Sequence, residues 1–99
     1  MTKKWNELKR RLIKERGALC ERCRLRPAAD LHHALIGRMK GHPELDVKEN
    51  GELLCKECHA NAGGYEQKKR FWAKQCARYG EEHMEKWLDS LDLKVKPRF

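Results

Sequence analysis

A chain of 99 residues has room for one domain with a small apolar core, and 38% of its residues are charged against 7% aromatic. No run of residues approaches the roughly 20 apolar positions of a membrane-spanning helix, and the first residues hold no apolar stretch of a signal peptide. We therefore expect an intracellular protein without a membrane segment, whose five cysteines are reduced and available to metal.

The excess positive charge is confined to one part of the sequence. Residues 1–40 hold 12 Lys and Arg against 4 Asp and Glu, whereas residues 41–99 hold 11 of each kind. The whole formal net charge of +8 therefore comes from the first 40 residues. A field of one sign suits a polyanion such as DNA or RNA, and a solvated basic helix is the alternative explanation.

The first predicted element is a basic amphipathic helix over residues 1–17. Thr2 is a suitable N-cap for this helix, and Gly17 is a suitable end. Between them, apolar residues recur at helical spacing: Trp5, Leu8 and Leu12. Lysine and arginine cover much of the remaining circumference, so the helix is expected to present a basic surface.

Two short strands and a loop are predicted next. Residues 29–36 form a strand-like run, and residues 37–49, with two glycines and a proline, indicate an ordered loop. Asn50-Gly51 is a turn signal, and residues 52–54 form a brief second strand. A helix is expected to follow and to fade at residues 63–64.

Two further amphipathic helices are predicted after residue 64. The apolar face of the first is Trp72, Cys76 and Tyr79, and that of the second is Met84, Trp87, Leu88 and Leu91. Together the elements predict a small α+β fold in one domain, residues 1–99. Its parts are a basic N-terminal helix (1–17), a core (18–64) and a C-terminal helical extension (65–99).

Two C-x2-C pairs give the strongest metal signal in the sequence. Their four thiols belong to Cys20, Cys23, Cys55 and Cys58. Zinc prefers four thiolates in a tetrahedron, and a C-x2-C turn lets both of its sulfurs reach one ion. Such a site has no open coordination position, so we expect one structural zinc. Cys76, on the apolar face of a predicted helix, is interpreted as a small buried hydrophobic residue.

Three histidines and an asparagine lie inside this cysteine frame. His32 and His33 are neighbours on a predicted strand and should point to opposite faces, so one imidazole can bind a cation while the other acts as a base. Each residue alone has an ordinary explanation: a surface histidine, a hairpin turn at Asn50, or a substitute zinc ligand at His59. Their combination in one frame favours catalysis. The other two histidines, His42 in a loop and His83 on a charged helix, are interpreted as residues without a functional role.

The combination resembles the HNH endonucleases, in which a ββα-metal motif (His-Me finger) is stapled by zinc. The resemblance spans residues 20–59 and is carried by Leu31-His32-His33, by Asn50, and by Leu54-Cys55-x-x-Cys58-His59. It implies that His33 is the general base that activates water and that Asn50 orients this base and braces the hairpin. It also implies that His32 and His59 hold one divalent cation.

The resemblance implies hydrolysis of DNA phosphodiester bonds, by nicking or double-strand cleavage, to 3′-hydroxyl and 5′-phosphate ends. Magnesium or manganese is the expected catalytic cation, and two imidazole ligands also suit nickel or zinc. Some members have a further metal histidine where this chain has Gly63. We therefore expect a loosely held cation, whose coordination is completed by water and phosphate.

Basic residues are expected to contact DNA phosphates without reading sequence. Arg38 and Lys40 lie in the loop between the strands, and the surface is extended by Lys3, Lys4, Arg10, Arg11, Lys14, Arg22, Arg24 and Arg26. Small members of that family with a C-terminal helical extension are often phage or prophage proteins that act with the DNA-packaging machinery. The resemblance therefore implies a phage or prophage protein in bacterial or phage-infected cytoplasm, with a terminase or another packaging protein as partner. A monomer is expected. The alternative to a nuclease is a non-catalytic zinc-binding module that docks on nucleic acid. The C-terminal helices are expected to be packing elements, and a surface for a partner protein is the alternative.

Overall fold

A computed structural model describes residues 2–93 and 97–99 of the chain. Over these residues the chain forms four α-helices and one two-stranded antiparallel sheet, which confirms the small α+β class. It divides into two compact units, Met1–Ala62 and Gly63–Phe99, and the single domain stays a prediction. None of the described helices is both long and apolar enough to cross a membrane.

The first helix, α1, spans Lys3–Arg16 and agrees with its prediction at both ends. The Thr2 side chain accepts a hydrogen bond from the Trp5 amide, and Gly17 follows the helix with φ 97°. The predicted apolar face is buried in the main core of the first unit, formed by Trp5, Leu8, Leu12, Leu31 and Leu53. Burial of this face fixes α1 against the sheet.

Strands β1 (Asp30–His33) and β2 (Gly51–Leu54) pair in antiparallel fashion. Leu31 lies opposite Leu53, and His33 lies opposite Gly51. Because side chains alternate along a strand, Leu31 and His33 share the face that packs on α1, whereas Asp30 and His32 share the other face. The two neighbouring histidines therefore point to opposite sides of the sheet, as the sequence predicts.

The segment between the strands contains two short 3-10 turns, Pro43–Leu45 and Lys48–Asn50. Asn50 ends the second turn, and Gly51 begins β2 with an ordinary φ of −104°. The Asn50-Gly51 pair is therefore not a tight hairpin turn, contrary to the turn signal. Gly51 is explained by packing instead, because a Cβ at this position would lie 2.9 Å from Cδ1 of Leu31.

The short helix α2 (Lys56–Ala60) begins directly after β2, with Cys55 as its N-cap. Arg16, at the end of α1, forms hydrogen bonds to three other residues of the first unit. Its guanidinium donates to the carbonyl oxygens of Gly51 at 2.7 Å and Lys48 at 3.0 Å, and to the Glu21 carboxylate at 2.9 Å. One buried cation thus joins α1 to the start of β2.

The second unit contains α3 (Tyr65–Tyr79) and α4 (Glu81–Ser90), separated by Gly80 with φ 98°. The buried residues of α3 are Phe71 and Gln75, so the predicted face of Trp72, Cys76 and Tyr79 is wrong by one position. These three residues are only half-buried. In α4 and just beyond it, Met84 and Leu91 are buried as predicted, whereas Trp87 and Leu88 are half-buried.

Candidate functional site

The four cysteines of the two C-x2-C pairs come together in one cluster. The sulfur atoms of Cys20, Cys23, Cys55 and Cys58 all lie within 4.8 Å of one another. In the part of the chain that the structure describes, this is the one group of three or more His, Cys, Asp or Glu side chains with ligand atoms that close. Its composition and spacing fit a structural zinc ion.

Backbone hydrogen bonds place the two cysteine pairs. The Cys20 amide donates to the carbonyl oxygen of Arg26 at 2.8 Å, and the intervening Arg24 has φ 58°, which closes the first pair into a knuckle. The Glu21 amide donates to the carbonyl oxygen of Leu53 at 2.8 Å and so attaches this knuckle to β2. The second pair follows β2 directly, and both pairs therefore meet at the same end of the hairpin.

The thiols differ in how readily they ionise. Backbone N–H groups of Leu25 and Arg26 point at the Cys23 sulfur and lower its pKa to about 6. Burial, reinforced by the neighbouring cysteines, raises the pKa of Cys58 to about 12. Four sulfurs this close cannot all carry negative charge without a cation between them, and zinc binding requires thiolates. A divalent cation among the four sulfurs would let all of them bind as thiolates.

His32 and His59 approach each other on the sheet face away from α1. Their ring centroids lie 5.0 Å apart and their planes are tilted by 58°. Nδ1 of His59 lies 2.9 Å from Oδ2 of Asp30, and the Lys56 ammonium lies 3.1 Å from Oδ1 of the same carboxylate. The hydrogen bond from His59, followed by the Lys56 contact, keeps the pKa of Asp30 below its ordinary value. Asp30 is thus an ionised partner for His59.

The bond to Asp30 determines which nitrogen of His59 is available. A carboxylate only accepts hydrogen bonds, so a neutral His59 must carry its proton on Nδ1. Nε2 then presents a lone pair, and it has no hydrogen-bond partner among the described residues. A carboxylate that fixes a histidine in this way is a common support for metal ligands. The donor set of His32 and His59 therefore fits a divalent cation.

A groove of about 350 Å³ opens beside His59. Lys9 of α1 and Lys56 of α2 are among its lining residues, together with Asp30 and His59. The Lys56 ammonium pairs with the Asp30 carboxylate, and the Lys9 ammonium donates to the carbonyl oxygen of Ala29 at 3.2 Å.

His33 lies on the opposite face of β1 and has different partners. Its ring stacks on the indole of Trp5, with centroids 3.9 Å apart and planes within 7°. Its Nε2 lies 2.8 Å from Oδ1 of Asp46, and 9% of its side chain is exposed. The structure thus brings His32 and His59 together and places His33 between α1 and the loop that follows β1.

Asn50 is fully buried and holds the two ends of the loop between the strands. Its Oδ1 accepts hydrogen bonds from the amides of Leu35 and Ile36, both at 3.0 Å. Its Nδ2 donates to the carbonyl oxygens of Ile36 at 2.8 Å and Leu45 at 3.0 Å. Four side-chain hydrogen bonds make it a structural brace for the hairpin.

The predicted DNA-contact residues are in two situations. Most of them are exposed: Lys3, Lys4, Arg10, Arg11, Lys14, Arg24, Arg26, Arg38 and Lys40. Arg22, in contrast, lies 2.9 Å from the carboxylate of Glu52, which is buried in β2. Arg22 thus compensates a buried charge, and its contribution to the basic surface is smaller than that of the exposed residues.

Three residues of the histidine site were missed by sequence reasoning. Asp30 lies two positions before His32, and strand alternation would have placed it on the same face. Asp46 and Trp5 carry no such signal, because each meets His33 only through the tertiary fold.

Comparison with known proteins leaves the chain without a match, whether among family models, curated proteins or solved structures.

Proposed function

We propose that the protein is a metal-dependent endonuclease of the HNH type, which hydrolyses phosphodiester bonds in DNA. The observation that carries the proposal is the pairing of His32 on β1 with His59 on α2, whose ring centroids lie 5.0 Å apart. In this proposal β1, β2 and α2 form a ββα-metal motif, and the zinc of the four cysteines holds the motif together.

The proposed roles of the histidines follow from their surroundings. His32 and His59 would hold a divalent cation, and Asp30 would keep Nε2 of His59 directed toward it. When bound, the cation would supply positive charge to the phosphate and to the departing 3′ oxygen. Magnesium, manganese, nickel and zinc all accept imidazole together with water and phosphate oxygen.

His33 is the proposed general base. A neutral imidazole can take a proton from water near physiological pH, and stacking on Trp5 limits the orientations that this ring can adopt. Asn50 would act indirectly, because its four hydrogen bonds hold the loop that flanks His33. Hydrolysis would leave a 3′ hydroxyl and a 5′ phosphate.

The charge distribution supports DNA as the substrate. The net charge of +8 comes from the first 40 residues, and exposed basic residues include Arg10 and Arg11 on α1 and Arg38 and Lys40 beyond β1. Such contacts bind phosphates irrespective of sequence and weaken with salt. A packaging partner such as a terminase, and a monomeric state, stay predictions from the family resemblance.

One observation favours a non-catalytic zinc-binding module as the second candidate. Over the described residues, His32 and His59 have no third His, Cys, Asp or Glu ligand atom close enough to complete a cluster within 4.8 Å. A module of this kind would need the cysteine site and the basic surface alone.

A plasmid-nicking assay decides between the two candidates. Wild-type protein is expected to convert supercoiled DNA to the open circle with Mg²⁺ or Mn²⁺, and chelation of these ions is expected to stop the reaction. The His33→Ala variant is expected to bind the plasmid without cutting it. Absence of conversion by the wild type with every metal tried would favour the non-catalytic module.

A further inference from the structure

We infer that Asp46 is a positioning residue for the base: it holds His33 with its proton on Nε2 and leaves Nδ1 to accept the proton of the attacking water. The inference rests on the proposed nuclease function and adds to it a residue outside the family motif. The contact between the two side chains is short, at 2.8 Å from Nε2 to Oδ1, and both are largely shielded, with exposed fractions of 9% and 20%.

The chemistry of the pair selects one tautomer. A neutral imidazole has one donor nitrogen and one acceptor nitrogen, whereas a carboxylate offers acceptors only. Nε2 must therefore carry the hydrogen that bonds to Asp46, and Nδ1 must carry the lone pair. Among the described residues Nδ1 of His33 has no hydrogen-bond partner, so this lone pair is not already used.

Stacking on Trp5 holds the imidazole in one plane. The indole lies parallel to the imidazole at 3.9 Å, and it is itself fixed by a 3.0 Å hydrogen bond from Nε1 to the carbonyl oxygen of Leu31. Turning the imidazole over would direct a carbon atom at Asp46 in place of Nε2. A turned ring would stack on Trp5 equally well, so the hydrogen bond to Asp46 selects the orientation, while the stack holds the ring in its plane.

Asp46 is held in place by the brace already described. The carbonyl oxygen of its neighbour Leu45 accepts a hydrogen bond from Nδ2 of Asn50, and its own amide donates to the carbonyl oxygen of Pro43 at 3.0 Å. Asn50 thus acts on His33 through the loop and Asp46. The groove that contains Asp46 is also lined by charged residues of both signs from α1 and the second 3-10 turn: Lys4, Glu7, Arg11, Lys48 and Glu49.

In the proposed step, one bond to phosphorus forms, another breaks, and one proton moves from water to His33. Nδ1 of His33 takes one proton from water, the water oxygen forms a bond to phosphorus, and the bond from phosphorus to the 3′ oxygen breaks. The 3′ oxygen takes its proton from a second water. The imidazolium then has a hydrogen on each nitrogen, and the Asp46 carboxylate is its counter-charge, as in catalytic triads. The Nδ1 proton finally passes to the hydroxide left by the second water, which restores the neutral base.

The test combines a spectroscopic and a kinetic measurement on the full chain. In ¹⁵N-detected spectra of the wild type, the neutral form of His33 is expected to show a protonated Nε2 and an unprotonated Nδ1. The Asp46→Ala variant is expected to lose this preference and to show a kcat at least about tenfold lower, within the roughly 10²–10⁴-fold contribution of a positioned base. KM for DNA and the melting temperature are expected to change little, and Asp46→Glu is expected to restore part of kcat.

The matched control is Glu44→Ala. Glu44 lies in the same loop and also contacts a histidine, with Oε1 2.7 Å from Nδ1 of His42, but this pair is exposed. Its removal should leave both the His33 tautomer and kcat unchanged. A neutral His33 that carries its proton on Nδ1 in the wild type, or an Asp46→Ala variant that cleaves as fast as the wild type, would overturn the role of Asp46 alone. A wild type that fails to cleave DNA with every metal tried would overturn the nuclease function, and with it any catalytic role for Asp46.

Discussion

The rings of His32 and His59 lie 5.0 Å apart, although one side chain comes from β1 and the other from α2. The cysteine cluster explains how this proximity is maintained, because β2 leads directly into Cys55 and the α2 helix that carries His59. Asp30 adds a direct link between the strand and the helix through its 2.9 Å contact with His59. Two short elements are thus held at a defined separation by the cysteine cluster and a carboxylate.

We expect a weak cation site at His32 and His59 in addition to the four-cysteine zinc site. Mn²⁺ titration of zinc-loaded protein, followed by calorimetry, is expected to detect one weak site that is lost in His32→Ala and His59→Ala. Asp30→Asn should weaken this site by about 10–100-fold, the usual effect of removing a carboxylate that supports a metal-bound histidine. His83→Ala, on the exposed surface of α4, is the control and should bind Mn²⁺ as the wild type does. Equal Mn²⁺ affinity in all four variants would contradict the assignment.

Removal of the His33 imidazole should abolish cleavage while the fold is kept. His33→Ala loses the stack on Trp5 and the bond to Asp46, so a modest fall in melting temperature is expected. Zinc content and DNA affinity should remain, because neither the cysteine cluster nor the exposed basic residues are altered. The measurement is single-turnover cleavage, with His42→Ala as the comparison. If His33→Ala cut DNA at the rate of His42→Ala, the base would have to be another group.

Replacement of a cluster cysteine should unfold the first unit rather than impair catalysis selectively. Binding free energies of structural zinc are about 10–16 kcal/mol, which exceeds the stability of a core this small. Cys55→Ser should therefore lose zinc and much of its helical circular dichroism. Cys76→Ser is the matched control, since Cys76 lies outside the cluster on α3, where burial raises the pKa of its thiol. Chelation of zinc from the wild type should reproduce the Cys55→Ser spectrum, and a folded, active Cys55→Ser protein would contradict the structural role of the site.

Loss of the Asn50 side chain should destabilise the protein strongly. Asn50→Ala leaves buried backbone groups of Leu35, Ile36 and Leu45 without their partner. Since each such group costs about 1–3 kcal/mol, the free energy of unfolding should fall by at least about 2 kcal/mol in a denaturant titration. Asn61→Ala removes one exposed hydrogen bond, to the carbonyl oxygen of Glu57, and should cost far less. Equal losses in the two variants would argue against the brace.

A methyl group at Gly51 should also be costly, although the backbone there is ordinary. The added Cβ would lie 2.9 Å from Leu31 and 3.5 Å from Leu12. Overpacking of this kind costs about 1–3 kcal/mol, so Gly51→Ala should lower the melting temperature. Gly37→Ala has open space around the new methyl group and should be neutral. A Gly51→Ala protein as stable as Gly37→Ala would show that Leu31 can move aside.

The sequence predictions were accurate for features that depend on residues close together in the chain. The α1 helix was predicted correctly at both ends, since Thr2, Gly17 and the spacing of its apolar residues act within one helix. The cysteine cluster was predicted because its spacing is a property of the ligand pairs. The buried face of α3 was wrong by one position, because Gln75 is polar and sequence reasoning assigned the core side to Cys76.

The surroundings of the histidines could be predicted only in part. Alternation along β1 correctly placed His32 and His33 on opposite faces. The Asp46 contact depends on the path of a loop, and the Trp5 contact depends on how α1 docks on the sheet. Neither follows from periodicity or from a local motif. The base role of His33 and the cation site stay predictions for the experiments above.

Strict alternation along β1 has a consequence for how this protein can vary over evolution. Deleting or inserting one residue within the strand would exchange the sides of the two imidazoles, so that each would meet the other's neighbours. The segment between the strands has no such constraint between Gly37 and Gly41, where the residues are exposed. Length changes should therefore accumulate there in homologous sequences, while the spacing from Asp30 to His33 stays invariant.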